Sequence, residues 1–216
     1  MPNKYYPVYL DLENRQCVVI GGNDEALRKV RGLLDSLALV TVIAPEISPE
    51  LREMFESGAI NWKDRGYRAG DIQGSFLAIV ADTSDTQINL QATTEATESN
   101  IPLNVMDVTH MCSFIAPAIA RRGDVTLAIS SGGASPALTR KFREILSESE
   151  IMEWADLAPL LSEVRRELRA SEIAVTPDHW QACLTDELLR TFQLGDHAKA
   201  HQSLLAALIG DQKASK

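Results

Sequence analysis

Long apolar runs are missing from this chain: none approaches the roughly 20 residues that a helix needs to cross a bilayer. The opening residues Met1-Pro2-Asn3-Lys4-Tyr5-Tyr6-Pro7 contain no apolar stretch of the kind that drives secretion, so no signal peptide and no membrane partner are expected. Cysteine is scarce as well. Cys17, Cys112 and Cys183 are odd in number and far apart, with neither metal-ligand spacing nor a C-x-x-C pattern. That excludes a disulfide framework and a cysteine-built metal site, and a reduced, cytoplasmic protein is expected. Basic residues are outnumbered, 21 against 30 acidic, for a formal charge of −9. A concentrated basic face for nucleic acid is therefore not expected. An anionic ligand would have to be met by a local basic patch working against the global field. There is no internal repeat and no low-complexity segment, and no Tyr-x-x-x-Lys follows the strands, which counts against a short-chain carbonyl reductase.

What is present begins with Gln16-Cys17-Val18-Val19-Ile20-Gly21-Gly22-Asn23-Asp24-Glu25-Ala26. Strand formers end on two glycines, and apolar residues then recur at helical spacing: Ala26, Val30, Leu33, Leu34 and Leu37. Strand, tight turn and helix are the opening unit of a dinucleotide-binding fold. Glycine tolerates positive φ and lets a pyrophosphate approach the amides at the positive end of the helix. Asn23 stands where the second glycine of G-x-G-x-x-G/A belongs; asparagine is one of the few other residues that reaches left-handed φ cheaply, but its side chain takes room from the phosphate. Asp24 and Glu25 suit the helix dipole but would repel a pyrophosphate. No acidic residue ends the second strand; Pro45 and Glu46 lie just beyond it.

With 216 residues, 45% hydrophobic and 24% charged, the chain can bury a sizeable core. A short strand is expected over Tyr6–Leu10, helices over 24–36 and from Ser48-Pro49 to Ser57-Gly58, and a nearly all-apolar strand over Leu39–Ile43. Ile60-Asn61-Trp62 is a weaker strand, and Phe76 to Ala81 is the clearest buried one. A helix from Thr86 to about Ser99 and a strand Leu103–Met106 ending on Asp107 complete an open parallel sheet with right-handed crossovers. After Asp107 the pattern changes. Ser113 to Ala120 and Val125 to Ser130, around Arg121-Arg122-Gly123-Asp124, read as a hairpin. The loop Ser130-Ser131-Gly132-Gly133-Ala134-Ser135 leads to a helix that starts at Pro136. From Ile151 onward only helices are expected, the last over about 196–210 with a frayed tail after it.

Ligands in open α/β sheets bind beyond the carboxyl ends of the strands, where the Gly21 loop, Ala44-Pro45-Glu46, Ala81-Asp82-Thr83 and Asp107 converge. There Asp107 is either a general acid or base beside a nicotinamide, or a turn cap. His110 is a proton shuttle or a solvated loop residue; Cys112 is a nucleophile or a structural thiol. Arg121, Arg122, Arg140, Lys141 and Arg143 are a solvated face, or the place where a polycarboxylate would be paired.

Several of these stretches, in order, look like one family. They are Val19 to Lys29, Val40-Thr41-Val42-Ile43-Ala44-Pro45, Asn104-Val105-Met106-Asp107, Cys112 to Ile119, Arg121-Arg122-Gly123-Asp124 and Ser130 to Leu138. Together they resemble the precorrin-2 dehydrogenase/sirohydrochlorin ferrochelatase family, the N-terminal part of siroheme synthases, over about residues 4 to 150. The resemblance implies a Rossmann NAD-binding domain over 1–112, a β-hairpin dimerisation and substrate region over 113–149 and a small helical domain over 150–216. It implies a homodimer that oxidises precorrin-2 to sirohydrochlorin with NAD⁺ in siroheme biosynthesis, some members then inserting ferrous iron, with ferrous or cobalt ion as a further substrate to test. Asp107 falls on the catalytic aspartate. Cofactor contacts fall on Gly21, Gly22, Asn23, Asp24, Glu25, Pro45, Glu46, Ala81 and Asp82. Ser113, Phe114, Ser130, Ser131, Gly132 and Gly133 fall beside the tetrapyrrole, and no protein metal site is implied. The altered glycine loop leaves two alternatives open: a non-catalytic dinucleotide or tetrapyrrole carrier, and a chelatase that has lost dehydrogenation.

Overall fold

A computed structural model describes residues 5–210 of the chain, which fall into two compact units divided after Ala116. The frayed tail expected beyond Gly210 lies outside the described residues.

In the first unit, β1 (Gln16–Ile20), β2 (Leu39–Ala44), β3 (Asn61–Asp64), β4 (Leu77–Val80) and β5 (Leu103–Val105) form one parallel sheet in the order β3-β2-β1-β4-β5. Side chains alternate between its faces. Cys17, Val19, Val40 and Val42 pack with Ala26, Val30 and Leu33 of α1 (Asp24–Leu34) and Leu51 of α2 (Pro49–Glu56). Val18, Ile20, Ile43 and Val80 pack with Ala92 and Ala96 of α3 (Thr86–Glu98). Both faces are buried, which is why β1, β2 and β4 read as continuous apolar runs. From β1 the chain runs outward to β3, then returns to β4 on the other side. The crevice between β1 and β4 is thus a topological switch point.

Tyr6–Leu10 is not a strand. The segment is irregular, with Tyr6, Val8, Tyr9 and Leu10 exposed, and Pro7 has no N–H to give a ladder. The loop after β3 is fixed by Asp71, whose side chain is only 6% exposed and accepts from Lys63 Nζ at 2.8 Å, Arg65 Nη1 and Nη2 at 2.6 and 2.7 Å, and the Arg68 amide at 2.8 Å. The Arg65 guanidinium, more than any other partner, holds the Asp71 carboxyl well below the usual carboxylate range. A carboxyl depressed in the native state contributes stability that is complete above its unfolded value, about pH 4, and is lost as pH falls toward the native value. Asp71→Asn should therefore cost about 1–3 kcal/mol at pH 7 in urea unfolding, and the gap from the unsubstituted chain should shrink below about pH 4.

In the second unit, β6 (Ala118–Arg122) and β7 (Val125–Ile129) form the expected hairpin, turning at Gly123 with φ +54°. Its first strand starts at Ala118 rather than at Ser113. The amides of Ser113 and Phe114 bond the Leu103 carbonyl at the start of β5, and Pro117 has no N–H. α4 (Pro136–Ser147) follows, capped by Ser135. After a 3-10 stretch over Glu150–Leu157 come α5 (Ala158–Ala170), α6 (Pro177–Ala182), α7 (Asp186–Gln193) and α8 (His197–Gly210). Leu157, Leu160, Val164, Leu168, Leu188, Leu204 and Leu208 form their shared core.

Candidate functional site

A cleft of about 570 Å³ opens at the switch point. Gly21, Gly22, Asn23, Pro45, Glu46 and Asp82 of the expected cofactor set line it; Asp24, Glu25 and Ala81 do not. Ala81 is buried in the core, its amide donating to the Ile20 carbonyl at 2.8 Å.

The two glycines are required by the protein itself. A Cβ on Gly22 would lie 1.9 Å from the Glu46 carbonyl oxygen, and one on Gly21 would lie 2.7 Å from the Asp82 nitrogen. Gly21 also has φ +122°. The Gly21 amide donates to the Ile43 carbonyl at 3.0 Å, and the Ser48 amide to the Gly22 carbonyl at 2.8 Å. The ends of β1, β2 and β4 are thus braced backbone against backbone at the glycine pair.

Asn23 does not use the left-handed conformation open to asparagine. Its φ of −84° and ψ of −176° are extended, not left-handed, and its side chain caps α1, Oδ1 accepting from the Ala26 amide at 3.0 Å. The same device recurs twice in the cleft wall. Ser48 Oγ accepts from the Leu51 amide at 3.4 Å, and Asp85 Oδ1 from the Gln87 and Ile88 amides at 2.8 and 3.2 Å. Three helix N-termini converge on one cleft, and their dipoles work toward an anion there against the carboxylates of Glu46, Asp82 and Asp85 in the same lining. Glu25, expected to repel such an anion, forms an ion pair with Arg28 on the outside of α1.

Tyr67, which nothing in the local pattern singles out, closes the cleft from the β3 side. Its hydroxyl donates to Glu95 Oε2, which also accepts from the Gly70 amide at 2.9 Å. Burial, and then the Glu95 hydrogen bond, push the Tyr67 phenol well above its ordinary value, so the ring is a neutral wall. The residues fit a dinucleotide in outline: backbone amides of the glycine turn for pyrophosphate, Glu46 for ribose hydroxyls, and Ile43, Tyr67 and Ile88 for an apolar base.

Asp107 follows β5, one strand beyond β4, and is exposed with φ +60°. It does not line the cleft. Lys29 on α1 feels its charge: burial and the adjacent Arg28 lower the ammonium, and the Asp107 carboxylate pulls the other way. That charge coupling across elements has no local signature in the sequence. Cys112 Sγ donates to the Val105 carbonyl at 3.1 Å and accepts from the Val105 amide at 3.2 Å, so its role is structural. Burial pushes the Cys17 thiol up to about 11.

Ser113 and Phe114 are tied to β5. Ser113 Oγ accepts from the Leu103 amide at 2.8 Å, and the Phe114 carbonyl accepts from Asn104 Nδ2 at 3.1 Å. Ser130, Ser131, Gly132 and Gly133 belong to the second unit, where Ser131 Oγ accepts from the Ser135 amide at 2.9 Å and Ser130 Oγ from the Gly132 amide at 3.1 Å. Gly132 and Gly133 have φ of +62° and +88°. Of the basic cluster, Arg122 Nε donates to Asp156 Oδ1 at 2.7 Å and Arg140 Nε to Glu144 Oε1 at 3.0 Å. No helix among the described residues is long and apolar enough to cross a membrane.

Comparison with known proteins identifies the family. A family model described as "Putative NAD(P)-binding" matches residues 8–118, and one described as "Sirohaem biosynthesis protein central" matches residues 122–149. A siroheme synthase of Pseudoalteromonas atlantica is 33% identical over 212 residues, covering 97% of this chain and 46% of that protein. A siroheme synthase of Methylococcus capsulatus is 37% identical over 165 residues, covering 76% of this chain and 35% of that protein. The chain thus spans less than half the length of these curated relatives. Among solved structures, SirC, a precorrin-2 dehydrogenase, matches with a TM-score of 0.73 at 26% identity, covering 93% of this chain and 98% of that one. With the first model spanning just over half its length, and the second following in register, the chain belongs to the NAD(P)-binding family of the siroheme synthases and precorrin-2 dehydrogenases.

Proposed function

We propose that this chain is a precorrin-2 dehydrogenase, oxidising precorrin-2 to sirohydrochlorin with NAD⁺. The observation that carries the reading is the cleft at the switch point, where three helix N-termini meet the glycine turn, with Asp107 on the neighbouring strand end of the same sheet edge. Bound NAD⁺ supplies the hydride acceptor. The glycine turn and the N-terminus of α1 hold its pyrophosphate, and Glu46 bonds ribose hydroxyls rather than a 2′-phosphate, which its charge disfavours. Asp107 accepts the proton that leaves the macrocycle with the hydride. Lys29 of α1, whose ammonium feels the Asp107 charge, sets a cation in the neighbourhood of that carboxylate. If sirohydrochlorin then takes up ferrous or cobalt ion, the macrocycle nitrogens hold the metal and release two protons, which Asp107, exposed to solvent, takes one at a time and passes to water.

The active species is a cytoplasmic homodimer. Leu138, Phe142 and Ile145 of α4 lie four and three residues apart on one helix stripe and are exposed, an apolar face suited to a second copy of the chain. The test is an anaerobic incubation of the purified chain, sized beforehand, with precorrin-2 and NAD⁺. Sirohydrochlorin and NADH should appear in equal amounts from a species of twice the chain's mass. Binding of NAD⁺ without turnover would favour the carrier reading instead.

A further inference from the structure

We propose that Asn23 is a latch that sets the affinity of the cleft for its dinucleotide, an inference that rests on the cofactor reading above. Its backbone is extended, a conformation open to any residue, so the asparagine is not there for left-handed freedom. What it adds is an amide oxygen lying across the first turn of α1, 3.0 Å from the Ala26 nitrogen. The first-turn amides of a helix are the groups that an anion at its N-terminus takes. With the cap closed, one of them is already satisfied, and the carboxamide stands where the pyrophosphate must come. Ser48 and Asp85 cap α2 and α3 in the same way, yet only α1 leaves directly from the glycine floor. Asn23 is solvent-exposed and lines the cleft, so its side chain has room to turn aside. Binding then exchanges an internal acceptor for an external one, and the observed affinity is lowered by the strength of the cap.

The test is calorimetric titration of NAD⁺ into the full chain and into Asn23→Gly, Asn23→Ala and Asn23→Asp, with the ligand-free unfolding midpoint measured for each. Asn23→Ala should bind up to roughly tenfold more tightly and Asn23→Gly by about twofold, the gains expected when a competing cap is removed. Their unliganded midpoints should fall. Asn23→Asp should keep its midpoint and bind more weakly, because the cap is retained and a negative charge is added. If neither neutral variant binds more tightly than the unsubstituted chain, the latch is wrong. A gain seen with glycine alone would also overturn it, since backbone freedom would then be the cause. Absence of binding by every protein in the series would overturn the cofactor reading itself, and the latch with it.

Discussion

Asp107→Asn should lower precorrin-2 oxidation by roughly a hundred- to ten-thousand-fold, the usual contribution of a placed general base. NAD⁺ affinity and stability should stay close to those of the unsubstituted chain. Asparagine is the informative substitution because Asp107 has φ +60°. Aspartate and asparagine visit that left-handed region readily, whereas alanine there costs about 1–2 kcal/mol and mixes a folding effect into the rate. The carboxylate is exposed and does not line the cofactor cleft, so neutralising it should not disturb nucleotide binding. Anaerobic turnover, NAD⁺ titration and a urea midpoint on the same preparation separate the three quantities. Full turnover by Asp107→Asn would remove the residue from its assigned role.

The second large effect is expected at Gly22. In Gly22→Ala the new methyl would sit 1.9 Å from the Glu46 oxygen and 2.9 Å from both the Glu46 carbonyl carbon and the Ile47 Cα. These are backbone atoms, so no side-chain rotation relieves the clash. Either the loop after β2 moves, breaking the Ser48–Gly22 hydrogen bond, or β1 shifts within the sheet. A destabilisation of about 3 kcal/mol or more is expected, the upper end for overpacking. NAD⁺ binding should be lost with it, because Pro45, Glu46 and Ile47 are cleft wall. Gly66 is the matched control. It lines the same cleft, and a Cβ there meets nothing within 4 Å, so Gly66→Ala should stay within about 0.5 kcal/mol of the unsubstituted chain. Equal urea midpoints for the two variants would refute the brace.

The parts of the fold that were legible in the sequence are those set by short-range rules. The apolar runs of β1, β2 and β4, the Ser48-Pro49 helix start and the Gly123 turn each follow from a few adjacent residues. Tyr6–Leu10 misled because an alternation of large apolar residues looks like a strand whether or not a partner edge exists. Ser113 and Phe114 misled for the opposite reason: an edge does exist, that of β5, and it captures them before the hairpin begins. The candidate site was half legible. Strand-end positions follow from the α/β topology, so the glycine pair, Pro45, Glu46 and Asp82 could be placed. Tyr67 could not, because it reaches the cleft from an irregular loop held by Asp71 and Glu95, partners 4 and 28 residues away. Lys29 was missed because its relation to Asp107 crosses from α1 to the end of β5. At Asn23 the residue's tolerance of left-handed φ was a true general rule applied to a position that does not use it.

The contact between Gly22 and the Glu46 carbonyl has a consequence for how such chains diverge. A double glycine at this point is demanded by the masonry of the sheet, whatever occupies the crevice. A descendant that had abandoned nucleotides altogether would still carry it. The pair therefore records ancestry, and the residue that follows it is where a change of trade would first be written.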